Sequence, residues 1–175
     1  MKNNLKYIAV VAVLAVAVLL FILHSGSASP AEAYLADPIN DSVAGKLYGE
    51  ILQELATISV NEEELLWVAL AGGEGYASDG HRQYNTIVCY QMEQNGDKYS
   101  LGRGYELLDP IAILSATKDQ STSFSRFSFD GGTVYLQILP ASLVTDRTKD
   151  YTYVDLTLSI DGKESPVVLI YKIEN

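Results

Sequence analysis

Three turn signals divide the second half of the chain, and each stands between two runs whose apolar residues recur at every second position. Asn95-Gly96 separates 84–93 from 98–107, Asp130-Gly131-Gly132-Thr133 separates 124–129 from 134–138, and Asp161-Gly162 separates 151–160 from 163–173. A two-residue connection needs positive φ to match the twist of the strands it joins, and Asn, Asp and Gly supply it. A chain punctuated in this way is committed to antiparallel hairpins.

The alternation also sets registers. Turning on Asn95-Gly96 places Met92 opposite Tyr99, Tyr90 opposite Leu101 and Val88 opposite Arg103. In the second hairpin a turn on Gly131-Gly132 pairs Phe129 with Val134 and Phe127 with Leu136. A turn on Asp130-Gly131 would set Phe129 against Gly132, so the first register is expected. The third hairpin puts Leu156 opposite Val167 and Val154 opposite Leu169. Pro166 lacks an amide hydrogen, so its nitrogen should face an edge or a bulge. After Asp109-Pro110, residues 111–116 read as a short strand or a helix.

The first half carries a different period. Val43, Leu47, Ile51 and Leu55 recur every four residues beside Ala44, Tyr48, Leu52 and Ala56, the pattern of one helical face over 41–57. Asn61 followed by Glu64, with Glu62 and Glu63 between them, resembles a helix N-cap with acid in the first turn, and predicts a second helix from 61 to 72. The expected fold is α+β: two helices packed on an antiparallel sheet of six or seven strands built from hairpins. A two-sheet β-sandwich is the alternative.

Residues 7–23 form an uncharged apolar run preceded by Lys2 and Lys6. A helix of this length reaches across most of a hydrocarbon core of about 30 Å, and both lysines on its N-terminal side place that end in the cytoplasm. The division expected is a transmembrane anchor or signal segment over 1–24, a Ser/Ala/Pro-rich linker over 25–40, and an extracytoplasmic domain over 41–175. The chain would then be a single-pass membrane protein anchored through 7–23, with its C-terminal domain outside the cytoplasm. The alternative is secretion after cleavage near Ala28 or Ala33.

The net charge is −10, with every acidic residue at or beyond Glu32 and the basic residues scattered singly. Such a surface repels phosphate backbones, so nucleic acid is not an expected partner. Cys89 is the only cysteine and lies in the apolar run 87–90, where a buried small hydrophobe is expected. No intramolecular disulfide can form.

One segment departs from regular periodicity. Residues 72–82 contain four glycines together with Glu74, Asp79 and His81, and read as a loop between the last helix and the first strand. As an active site the loop would offer Glu74 as a general acid or base and His81 with Asp79 as a proton shuttle or a pair of metal ligands, which points to a hydrolase or metal-dependent enzyme. Two ligands fall short of a stable zinc site, and the glycines lack the Lys-Ser/Thr of a phosphate-binding loop. No cofactor is expected. The tyrosines at 76, 84, 90, 99, 105, 135, 151, 153 and 171 could line a sheet face that binds protein or glycan. The leading functional expectation is a non-catalytic interaction or accessory domain with a protein or glycan partner; a secreted small-ligand-binding domain is a third reading.

Overall fold

The computed structural model describes residues 26–41, 45–77, 80–117 and 123–175. Strands β1 (Asn40–Asp41), β2 (Lys46–Ser59), β3 (Glu64–Ala77), β4 (Gly80–Asn95) and β5 (Lys98–Leu108) form one antiparallel sheet in that order. Strands β6 (Ser125–Phe129), β7 (Gly132–Pro140), β8 (Thr152–Ile160) and β9 (Lys163–Glu174) form a second, ordered β6-β7-β9-β8. Two short helices, α1 (Pro30–Ala36) and α2 (Pro110–Leu114), complete the described regular structure with a single 3-10 turn at Ala141–Leu143. The fold is therefore mostly β, and the expectation of two helices on one sheet is overturned.

The centre of the molecule is β3. Every residue from Leu65 to Ala71 is at most 2 % exposed, so both faces of this strand are covered. Leu66, Val68 and Leu70 point with Ile87 and Cys89 of β4 into a core shared with Phe127, Val134, Leu136, Leu158, Val167 and Leu169 of the second sheet. Leu65, Trp67, Ala69 and Ala71 point the other way, into a cluster with Tyr34, Ile39, Tyr48, Val88 and Met92. A strand buried on both sides reads as a continuous apolar run, which periodicity alone cannot separate from a buried helix.

The helix expected over 41–57 is largely β2, and its misleading period has a structural cause. The pairing of β2 with β3 shifts between Leu47 and Glu50, between Ile51 and Gln53, and between Glu54 and Ala56. Each bulge inserts an unpaired residue and resets the alternation. Buried positions fall at Tyr48, Leu55 and Ile58, intervals of seven and three that imitate a helical stripe. The second expected helix start is also a local structure, but of another kind. Asn61 Oδ1 accepts hydrogen bonds from the amides of Glu63 and Glu64, both at 2.8 Å, and the turn so formed joins β2 to β3.

Part of the segment read as linker is packed into the domain. Ser29 caps α1 by accepting from the Glu32 amide, Pro30 occupies its first turn, and the Glu32 carboxylate accepts from the Ala28 amide. The helix delivers Tyr34, fully buried, against Trp67 at a ring separation of 5.5 Å and against Tyr90 at 6.2 Å. Its hydroxyl donates to the Tyr48 carbonyl at 2.7 Å. Ala33, one of the two expected cleavage points, is itself buried inside α1.

The single-pass membrane placement also stands corrected: among the described residues no helix is long and apolar enough to cross a membrane, a statement that does not extend to strands. The run 7–23 on which that expectation rested lies outside the described residues.

All three hairpins form, with differing registers. In the third, Leu156 faces Val167 and Val154 faces Leu169, with positive φ at both Asp161 and Gly162. The β7 ladder on β9 ends at Pro140 opposite Val167, so Pro166 lies just beyond any need for its missing hydrogen. In the first hairpin, Asn95 pairs with Lys98 and Met92 with Leu101, two residues from the expected register. The second turns on Asp130-Gly131, setting Phe129 against Gly132 and Phe127 against Val134. Both shifts are by two at the turns, and beyond the β5 bulge the first grows to four, with Tyr90 opposite Tyr105 and Val88 opposite Leu107; every shift is even, so each side chain keeps its face. Phe129 finds apolar contact in the inter-sheet core rather than across the strand.

Where the two sheets fail to join, side-chain amides link them. Gln53 donates to the Thr157 carbonyl at 2.8 Å and accepts from the Ser159 amide at 3.4 Å, joining β2 to the edge of β8. On the opposite side Gln91 donates to the Ser128 carbonyl of β6 at 2.6 Å. It reaches that far because β5 bulges at 102–104, where an added Cβ on Gly104 would lie 2.0 Å from Gln91 Oε1. These contacts and the bulges also blunt the exposed strand edges.

Two outcomes test this packing. Gly73 sits directly beneath the Leu47 carbonyl, which a Cβ there would approach to 1.5 Å. Gly73→Ala should therefore lower stability in urea by about 1–3 kcal/mol, as overpacking does, and an unchanged midpoint would contradict the close passage of β2 over β3. Burial at the inter-sheet core pushes the Cys89 thiol well above its ordinary value. A thiol reagent should accordingly modify Cys89 only after unfolding, and rapid labelling of the native protein would place that strand elsewhere.

Candidate functional site

The glycine-rich segment is not a loop between a helix and a strand. Its described residues, 72–77 and 80–82, are the far ends of β3 and β4, which pair continuously from Glu64 opposite Glu93 to Ala77 opposite Gly80. Glu74 is exposed and stands opposite Gln83, with Leu47 of β2 on its other side. Two rungs further on, His81 is paired in register with Tyr76. Asp79 lies outside the described residues. The hairpin thus brings the backbones of Glu74 and His81 close together. Among the described residues, no three of His, Cys, Asp and Glu come together as a group able to hold a metal ion.

Among the described residues, the carboxyls held away from their ordinary values make structural contacts. Glu64, the expected first-turn acid of a helix, accepts from the amides of Asp130 at 3.1 Å and Gly131 at 2.9 Å and from Asn61 Nδ2 at 2.7 Å. Desolvation raises its pKa, but these donors outweigh it and leave the carboxyl below the usual range. Its grip on the Asp130 and Gly131 amides accounts for the β6–β7 turn falling on that pair. Asp155 is lowered by its hydrogen bonds from Arg147, and Glu174 by its hydrogen bond from Lys172. Burial raises Tyr34 to about 12.

The outer face of the second sheet carries a cation–aromatic array. Lys172 Nζ lies 4.9 Å from the Tyr135 ring centre and 5.6 Å from that of Tyr151, and Arg147 lies 5.5 Å from that of Tyr153. Phe124 stacks on Tyr151 at 5.3 Å. On the outer face of the first sheet, Tyr90 and Tyr105 stack at 5.4 Å, and Tyr105 remains 53 % exposed.

A cleft of about 410 Å³ opens where β4 outruns its neighbour. The β5 ladder ends at Leu108 opposite Ile87, and Asp109-Pro110 turns the chain into α2, so residues 83–86 of β4 have a partner on the β3 side only. Thr86 Oγ1 donates to the Leu108 carbonyl at 3.2 Å and ties down the point of divergence. The start of β2 and the β8–β9 turn supply the remaining walls, so elements of both sheets meet here. Lys46, Gln83, Asn85, Asp109, Ile111 and Asp161 line the opening. Asp109 accepts from the Ile111 amide at 2.8 Å, and the Lys46 ammonium lies 4.6 Å from the Tyr84 ring centre. Sequence reasoning passed over this cleft because its two clearest markers, Asp109-Pro110 and Asp161-Gly162, read as structural punctuation.

The Glu64 contacts set an acid dependence. A carboxyl held below its unfolded value of about 4.3 stabilises the fold above that pH, and the contribution disappears as pH falls through the lower folded value. Glu64→Gln should cost about 1 kcal/mol at neutral pH, solvent screening the partly exposed group, and should flatten the acid limb of a melting-temperature profile taken down to about pH 3. Parallel profiles for the two proteins would remove Glu64 from this role.

Comparison with known proteins finds no matching family model, no matching curated protein and no matching solved structure.

Proposed function

We propose that the chain is a non-catalytic binding domain. The observation that supports this most is the employment of the perturbed ionisable groups among the described residues. Active sites concentrate such groups in a cleft, where burial and like charges tune them for proton transfer. Here Glu64 holds a turn, Asp155 and Glu174 engage neighbouring cations on a sheet face, Tyr34 and Cys89 lie in packed clusters, and Tyr90, raised by partial burial, packs against the Tyr34 cluster. Each shift has a structural cause. The surface also offers what a binding module needs, namely aromatic groups on or beside the strands and a polar cleft walled by strands, α2 and the β8–β9 turn. Its partner is a protein or a glycan.

The hydrolase or metal-enzyme reading centred on Glu74, Asp79 and His81 supplies the opposing arm of the test. Purified protein should turn over ester, phosphoester, glycoside and peptide substrates, with or without zinc or calcium, no faster than the triple variant Glu74→Gln, Asp79→Asn, His81→Asn. Turnover that disappears in the variant while its melting temperature holds would replace the binding reading with the enzymatic one.

A further inference from the structure

We infer that the cleft between the open edge of β4, α2 and the β8–β9 turn is a binding site for a neutral, hydroxyl-rich ligand such as a short run of sugar residues. This deepens the non-catalytic reading by giving it a site and a ligand class. The polar lining is mixed: the amides of Gln83 and Asn85 each offer donors and acceptors, Asp109 and Asp161 offer acceptors, and Lys46 offers donors. A hydroxyl both donates and accepts, so a ligand with adjacent hydroxyls can satisfy such a set in several places at once. Ile111 stands at the same opening, 67 % exposed, and gives an apolar surface for the C–H face of a ring.

Charge and space narrow the choice. Two carboxylates against one ammonium leave the lining slightly negative in a chain of net charge −10, which disfavours an anionic ligand. The Lys46 ammonium, set over the Tyr84 ring, works against a cationic one. An extended peptide would have to add to β4 as a strand about 4.8 Å away, and Pro110 and Ile111 of α2 stand beside that edge where β5 has left it. The volume, about 410 Å³, falls within the range of small-ligand sites.

The test is a backbone-amide NMR titration of the protein with four probes: a neutral hexose tetrasaccharide, an N-acetylhexosamine tetrasaccharide, a uronate tetrasaccharide and an uncharged tetrapeptide. At least one neutral saccharide should shift the amides of Gln83, Asn85 and Asp161 saturably, and Asn85→Ala should weaken that binding by about tenfold or more. Should Asn85→Ala fail to fold, Gln83→Glu, which keeps the length of the side chain, should weaken it in the same direction. The inference is overturned if neither neutral saccharide shifts these amides, or if the uronate or the tetrapeptide binds there more tightly. Recovery of the bound saccharide intact supports both readings. Cleavage of the saccharide would uphold the cleft and remove the non-catalytic assignment, so the two failures are distinct.

Discussion

The structure depends on one strand having no solvent face. Leu65 to Ala71 are covered on both sides, and a strand in that position requires a layer above it and a layer below. The second sheet supplies one layer through Phe127, Val134, Leu136, Leu158, Val167 and Leu169. The other is assembled from smaller pieces: α1 with Tyr34, the short β1 region with Ile39, and the start of β2 with Tyr48. Burying an apolar side chain contributes on the order of 1.5–3 kcal/mol, so the seven-residue run dominates where every other element must lie. The close passage of Leu47 over Gly73 and the long reach of Gln53 to β8 follow from wrapping β2 around this strand.

How much of this the residues disclose depends on whether a local signal is overridden by tertiary contact. The hairpins at 95–98 and 130–131 turn two residues away from the expected registers, and the first slips two more at its bulge, yet an even shift leaves every side chain on its face. Two similar capping patterns part ways. Ser29 and Glu32 cap a helix, and Asn61 and Glu64 close a turn between strands. What separates them is the following sequence: after Ser29 comes a short Pro- and Ala-containing segment, and after Asn61 a run buried on both faces. The three bulges of β2 hide a strand behind helical spacing, and nothing in residues 46–59 alone announces them.

The functional landscape was less legible for a related reason. Glycines invite a search for a loop and a site, but Gly73 answers to a passing backbone and Gly104 to a glutamine amide. Glu74, Asp79 and His81 attracted notice by residue type, whereas the cleft depends on β5 ending before β4 does. That mismatch in strand length arises at Asp109-Pro110 and becomes visible only when the strands are placed side by side. The acidic surface is similarly structured: Glu64, Asp155 and Glu174 hold turns and cations.

Amide hydrogen exchange tests the central strand most directly, because protection scales with how completely a segment is shielded and how much of the fold must open to expose it. The amides of Leu66 to Leu70, with those of Ile87 to Cys89 across the ladder, should be among the slowest in the chain and should exchange only through global unfolding. If they exchange as readily as the amides of β6, then β3 is not the strand on which both layers rest, and this account of the fold is wrong.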